Sequence, residues 1–173
     1  MKVKTYDICL YAMLGALTFA LKFVMAPLPN IEPVSLLLII YTIVFGKNVI
    51  FPLVIYVALE VLIYGFSFWS IGYLYIWFVL VIVTNLLFKT TNSTSVILWS
   101  LLSGTYGLLF GALYVPLYLI SGGYMFALSW WVSGIPYDIM HSIANFVLCL
   151  ILFKPLMKTL NILNTKQHKI IGE

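Results

Sequence analysis

The stretch IGYLYIWFVLVIVTNLLF, Ile71 to Phe88, runs for eighteen residues without one charge, and its reading decides the fold class. Crossing the hydrocarbon core of a bilayer takes about 20 apolar residues as a helix, or a shorter strand of alternating polarity. Here the apolar character is continuous. Lipid offers backbone N–H and C=O groups no partner, so a chain that crosses it must bond them internally, which leaves the α-helix.

The same signal recurs on both sides of that stretch. Approximate helices are expected over 7–26, 33–45, 49–64, 71–88, 95–120 and 136–160. The 173 residues are 64% hydrophobic and 8% charged, against about 25% charged in soluble domains. The expectation is an all-α integral membrane protein, a single domain over 1–173 of six transmembrane helices with almost no soluble part. Pro27, Pro29 and Asn30 end the first helix, and Gly46-Lys47-Asn48 makes a turn. Gly65 to Ser70 reads as an aromatic interfacial loop. Pro116 marks a point where the fifth helix tilts or breaks, and Ser121-Gly122-Gly123 ends it. Tyr124 to Ser133, with Trp130 and Trp131, reads as a semi-apolar connection, so the sixth helix is expected to start near Pro136. The first apolar run follows Lys2 and Lys4 as a signal peptide would. Its length and the absence of a small-residue cleavage site point to a retained span. Cys9 and Cys149 have no metal-type spacing and read as small packing residues.

Lysine placement sets the orientation, because loops on the cytoplasmic side carry the excess positive charge. With both termini cytoplasmic, Lys2, Lys4, Lys47, Lys89, Lys154, Lys158, Lys166 and Lys169 all fall inside, and only Lys22 does not. The basic tail then reads as a topology signal and headgroup contact, with no nucleic-acid role. On this map Glu32 and Asp138 lie at the outer ends of the second and sixth helices, and Glu60 in the outer half of the third.

Ionisable groups within spans cost about 2.5 to 3.5 kcal/mol at a helix centre on insertion scales, so each calls for a reason. Asp138, His141 and Asn145 recur at three and four residues and share one helical face. Tyr137 and Trp131 lie beside it, while Glu60, Trp69 and Tyr73 reach the same depth. Together with Glu32 they define a candidate substrate pocket with aromatic walls, suited to a flat, hydrogen-bonding molecule. The competing reading makes Asp138 a helix cap and His141 and Asn145 braces between helices. Lys22 is expected to pair with Glu32 or Glu60.

Ala12, Ala16 and Ala20 recur every fourth residue along the first helix. That spacing permits close approach of another helix, whether from a partner or from the same bundle. Gly104, Gly107 and Gly111 make a similar pattern that reads as internal packing. No phosphate-cradling Gly-Lys-Ser/Thr loop, His-Glu-x-x-His, Gly-x-Ser-x-Gly elbow or selectivity-filter sequence occurs, so no catalytic residue, metal or cofactor is expected.

Taken in order, the alanine face, Pro29-Asn30-Ile31-Glu32-Pro33-Val34, and Gly134-Ile-Pro-Tyr-Asp-Ile-Met-His-Ser-Ile-Ala-Asn145 resemble the substrate-binding S components of bacterial energy-coupling factor (ECF) vitamin transporters. The likeness extends over essentially the whole chain. It implies an S-component-like bundle in the bacterial plasma membrane that is not itself an enzyme. It also implies a coupling transmembrane subunit docked on Ala12, Ala16 and Ala20, and two ATPase subunits that complete an ABC importer. Delivery would follow by toppling of the loaded subunit in the membrane. The ligand would sit near the outer surface, against the loop after the first helix and the fourth to sixth helices. Absence of arginine disfavours a strongly anionic ligand and favours a neutral or cationic vitamin-like heteroaromatic compound, such as a thiamine-like pyrimidine, an amine-bearing deazapurine or a pyridine, with a bulkier ligand such as a corrinoid also open. Two other classes stay open on the same residues: a small proton-coupled secondary carrier, and a membrane-embedded enzyme using Asp138 and His141 as acid and base.

Overall fold

The computed structural model describes residues 5–171, with side chains to residue 165. Among these, every regular element is helical: α1 (Thr5–Met25), α2 (Val34–Phe45), α3 (Ile50–Tyr64), α4 (Phe68–Thr91) and α5 (Val96–Ile171), with a 3-10 turn over Gly46–Val49. Four stretches are long and apolar enough to cross a membrane: Thr5–Met25, Val34–Tyr64, Phe68–Thr91 and Val96–Thr165. The second of these is broken at Gly46, whose φ of 56° a side chain would resist. That leaves α2 with 12 residues and α3 with 15, about 18 and 22 Å long at 1.5 Å per residue.

α5 has 76 residues but is broken at Gly123, with φ 77° and ψ 179°. Its two arms, 96–122 and 124–171, fold back antiparallel. Gly111 meets Asp138, Gly107 meets His141 and Ser142, and Gly104 meets Phe146. This glycine seam is internal, as its spacing implies, because a methyl group at Gly107 would stand 2.9 Å from the His141 backbone. Other pairings give the remaining directions. α1 and α3 run parallel, with Tyr11 stacked on Phe51 and Lys22 on Glu60. α2 runs against α1, with Tyr41 near Leu14 and Phe45 beside Tyr11. Tyr75, Tyr106 and Tyr114 donate to the carbonyls of Leu113, Ile76 and Trp69, and so clamp α4 antiparallel to the first arm of α5.

α2 forms the centre. Val34 to Thr42 are all buried, which accounts for a helix that is apolar on every side. The outer surface is also apolar: Met13, Val24, Leu62, Ile97, Ile143 and Ile151 are each more than 60% exposed. A surface of that kind suits hydrocarbon, and water would penalise it by roughly 25 cal/mol per Å². Lys47, Lys89, Lys154 and Lys158 lie toward one end of the bundle, where Asn164 donates to the Val44 carbonyl and Phe88 meets Trp99. Lys2 and Lys4 fall outside the described residues, as do the side chains of Lys166 and Lys169.

Three expectations change. Tyr124 to Ser133 is helical rather than a connection, since it contains no glycine or proline and docks through Phe126 and Trp130 on Tyr118. Pro116 and Pro136 both lie inside helix, whereas the break falls at Gly123, within the Ser121-Gly122-Gly123 end expected of the fifth helix. Cys9 is exposed on α1, whereas Cys149 is a packing residue. A further shift is smaller. α4 starts at Phe68 because Ser67 and Ser70 form a capping box, with the Ser70 hydroxyl also donating to the Gly65 carbonyl.

Candidate functional site

A cavity of about 780 Å³ opens at the end of the bundle opposite those lysines. Its walls come from the end of α1, the loop 26–33, the end of α3, the start of α4 and both arms of α5. Local sequence fixes each contribution. Asn30 adopts a left-handed conformation (φ 56°) and donates to the Tyr137 carbonyl at 2.9 Å, which folds the loop over the cavity. The capping box at Ser67 holds Trp69 in the first turn of α4. Gly111 lets the second arm approach so closely that its N–H donates to Asp138 Oδ1 at 3.1 Å.

Five ionisable side chains line the cavity: Lys22, Glu32, Glu60, Asp138 and His141. Lys22 Nζ is 2.7 Å from Glu60 Oε2 and 3.0 Å from the Tyr73 hydroxyl, and it stands 4.7 Å from the Tyr73 ring centroid. Its charge is therefore committed to one corner. Glu32 Oε1 lies 3.7 Å from His141 Nε2, beyond hydrogen-bond reach. Glu32 precedes α2, and burial pushes its carboxyl above the ordinary range, with Lys22 partly opposing that rise. Three polar atoms of buried cavity residues have no hydrogen-bond partner: Glu60 Oε1, Asp138 Oδ2 and His141 Nε2. Buried polar groups left in this way cost about 1 to 3 kcal/mol each, which a bound molecule with matching groups would recover.

Aromatic rings form the rest of the wall. Tyr64, Trp69, Tyr73, Phe110, Trp130 and Tyr137 all line the cavity. Behind them Trp130 stacks on Tyr118 with centroids 4.0 Å apart, and Tyr114 packs edge-on against Trp69. This second layer holds the indoles in fixed orientations.

The structure thus brings together Glu32, Glu60, Trp69, Tyr73, Tyr137, Asp138 and His141 of the sequence-predicted set. Two members are not in the lining. Trp131 is half-buried to one side, and Asn145 is buried with its amide donating to Ser35 Oγ at 3.1 Å, a brace between α2 and α5. Asp138 is not a helix cap, because its helix begins fourteen residues earlier, beyond Gly123. Trp130, Phe110 and Tyr64 escaped the sequence reading. Trp130 stands eleven residues before His141, about three turns, and so faces the same way once the helix is known to extend that far. Ala16 and Ala20 are exposed and Ala12 is half-buried, so the bundle itself makes little use of this face. No group of three potential metal ligands occurs among the described residues. Comparison with protein families, characterised proteins and solved structures gives no match.

Proposed function

We propose that this chain is the substrate-binding subunit of an energy-coupling importer of the ECF type, a membrane protein that captures a small vitamin-like compound and has no catalytic turnover. The observation that carries the reading is the cavity itself: a large, aromatic-walled chamber with three unpartnered buried polar atoms, at the end of the bundle opposite Lys47, Lys89, Lys154 and Lys158. A pocket of that size suits a drug-sized molecule. Helices of alternating direction support six crossings, with α2 and α3 as short central ones. Lysines at one end support a cytoplasmic face there and an outward-facing cavity, in the bacterial plasma membrane.

Delivery of the ligand requires partners, because the sequence carries no nucleotide-binding loop. A coupling subunit docked on the open Ala12, Ala16 and Ala20 face, together with two ATPases, would supply the work, and the loaded subunit would topple to release its cargo. The geometry favours binding over acid–base chemistry. His141 Nε2 lies 3.7 Å from Glu32 Oε1, while Asp138 Oδ1 is held by the Gly111 N–H.

The purified chain in detergent is expected to bind its ligand stoichiometrically and to release it chemically unchanged. In proteoliposomes it should accumulate ligand only with the coupling subunit, the ATPases and ATP. Accumulation by the chain alone under a pH gradient would mean a proton-coupled carrier, and chemical alteration of the ligand would mean an enzyme. Either result overturns the proposal.

A further inference from the structure

We infer that the compound this cavity takes is an organic cation, a flat heteroaromatic molecule whose positively charged nitrogen lodges between Glu32 and Asp138. The inference rests on the reading of the cavity as a ligand site and names the ligand's charge class. It follows from how the charges in the cavity are spent.

Three carboxyl groups and one lysine line the cavity. The lysine is committed elsewhere: it donates to Glu60 at 2.7 Å and to the Tyr73 hydroxyl at 3.0 Å, and its charge lies over the Tyr73 ring. Nothing else cationic stands among the lining residues, and the chain contains no arginine. Neither Glu32 nor Asp138 therefore has a lysine in contact, and Glu32 feels the Lys22 charge only at longer range. Asp138 is 6% exposed, and one of its oxygens accepts from Gly111 while the other, Oδ2, has no partner. Glu32 meets only the edge of His141 at 3.7 Å. An unpaired buried carboxylate costs several kcal/mol, and a cation supplied by the ligand removes that cost.

The walls agree with the charge. Trp69 and Trp130 sit with ring centroids 6.1 Å apart, and Tyr64 and Tyr137 also line the cavity. Indole and phenol faces attract cationic rings more strongly than neutral ones, and they repel anions. His141 Nε2, 3% exposed as a residue and unpartnered, is placed to hydrogen-bond a polar group of the same ligand. An anionic ligand would have to be desolvated beside two carboxylates with no free cation to receive it.

The test uses three probes of one shape on the full chain in detergent: 1-methylquinolinium, quinoline in alkaline buffer where it is neutral, and quinoline-4-carboxylate. Calorimetric titration should show saturable binding of the quinolinium at least about tenfold tighter than quinoline, and none of the carboxylate. Asp138→Asn and Glu32→Gln should each weaken the quinolinium at least about tenfold while moving quinoline by less than about twofold. If quinoline binds as tightly as the quinolinium, or the carboxylate binds best, the charge class is overturned and the cavity remains a ligand site. If none of the three binds saturably, both readings fall.

Discussion

Replacing Lys22 by methionine probes the Lys22–Glu60 ion pair that shapes one corner of the cavity. Methionine keeps most of the apolar stem and removes the ammonium, leaving the Glu60 carboxylate, 6% exposed, without the partner now 2.7 Å away. Breaking a buried pair from one side costs about 3 to 5 kcal/mol, because the remaining charge is desolvated with nothing to compensate it. Loss of the contact to Tyr73 adds about 1 kcal/mol. For a chain of this length each kcal/mol moves the unfolding midpoint by about 2 to 4 °C, so the combined loss should lower it by roughly 8 to 24 °C in Lys22→Met. The double variant Lys22→Met, Glu60→Gln removes both charges and should recover most of that loss. Thermal unfolding in detergent, followed by tryptophan fluorescence, gives the three midpoints. If Lys22→Met unfolds with the wild type, or if the double variant is as unstable as the single one, the pair is not the buried one described and the argument that Lys22 is spent on Glu60 fails.

Gly107→Ala should destabilise the fold by about 1 to 3 kcal/mol and weaken ligand binding, since its methyl would force the two arms of α5 apart by about half an ångström at His141; unchanged stability would contradict the seam. Burial raises the Glu32 carboxyl above its ordinary 4.5, against the pull of Lys22, with Glu60 and His141 also nearby. The stability gained by keeping it neutral is present below 4.5 and lost as the pH rises through the raised value, so ligand-free Glu32→Gln should gain stability relative to wild type over that rise. Unfolding curves at several pH values check this, and a variant that is equally destabilised at all of them would refute it. Ala16→Trp should abolish co-purification with the coupling subunit while leaving ligand affinity within about twofold, because Ala16 faces away from the bundle.

Much of this arrangement was legible in the sequence because lipid makes hydrophobic runs and buried charges conspicuous. The helical class followed from stretches such as Ile71 to Phe88, and the cavity from acids and a histidine at depths where only function or pairing tolerates them. What the sequence hid was local and geometric. Residues 124–133 look like a loop because Gly122 and Gly123 precede them and Pro136 follows. Only docking on Tyr118 shows that they continue the helix, and that brings Trp130 rather than Trp131 to the cavity. Asn145 shares the face of Asp138 and His141, yet Ser35 lies opposite it one turn below, so it braces α2 instead. The choice of Glu60 over Glu32 for Lys22 depended on α1 and α3 running parallel, which no spacing within either helix reveals.

Native mass spectrometry of the gently purified full chain tests the central claim most directly. The wild type should carry one small molecule per chain, released unaltered on denaturation, and the variant Asp138→Asn, His141→Ala should be folded but empty. A wild-type chain with no bound molecule under conditions where it is folded, or a double variant that retains the molecule equally well, would contradict the assignment of this cavity as the ligand site.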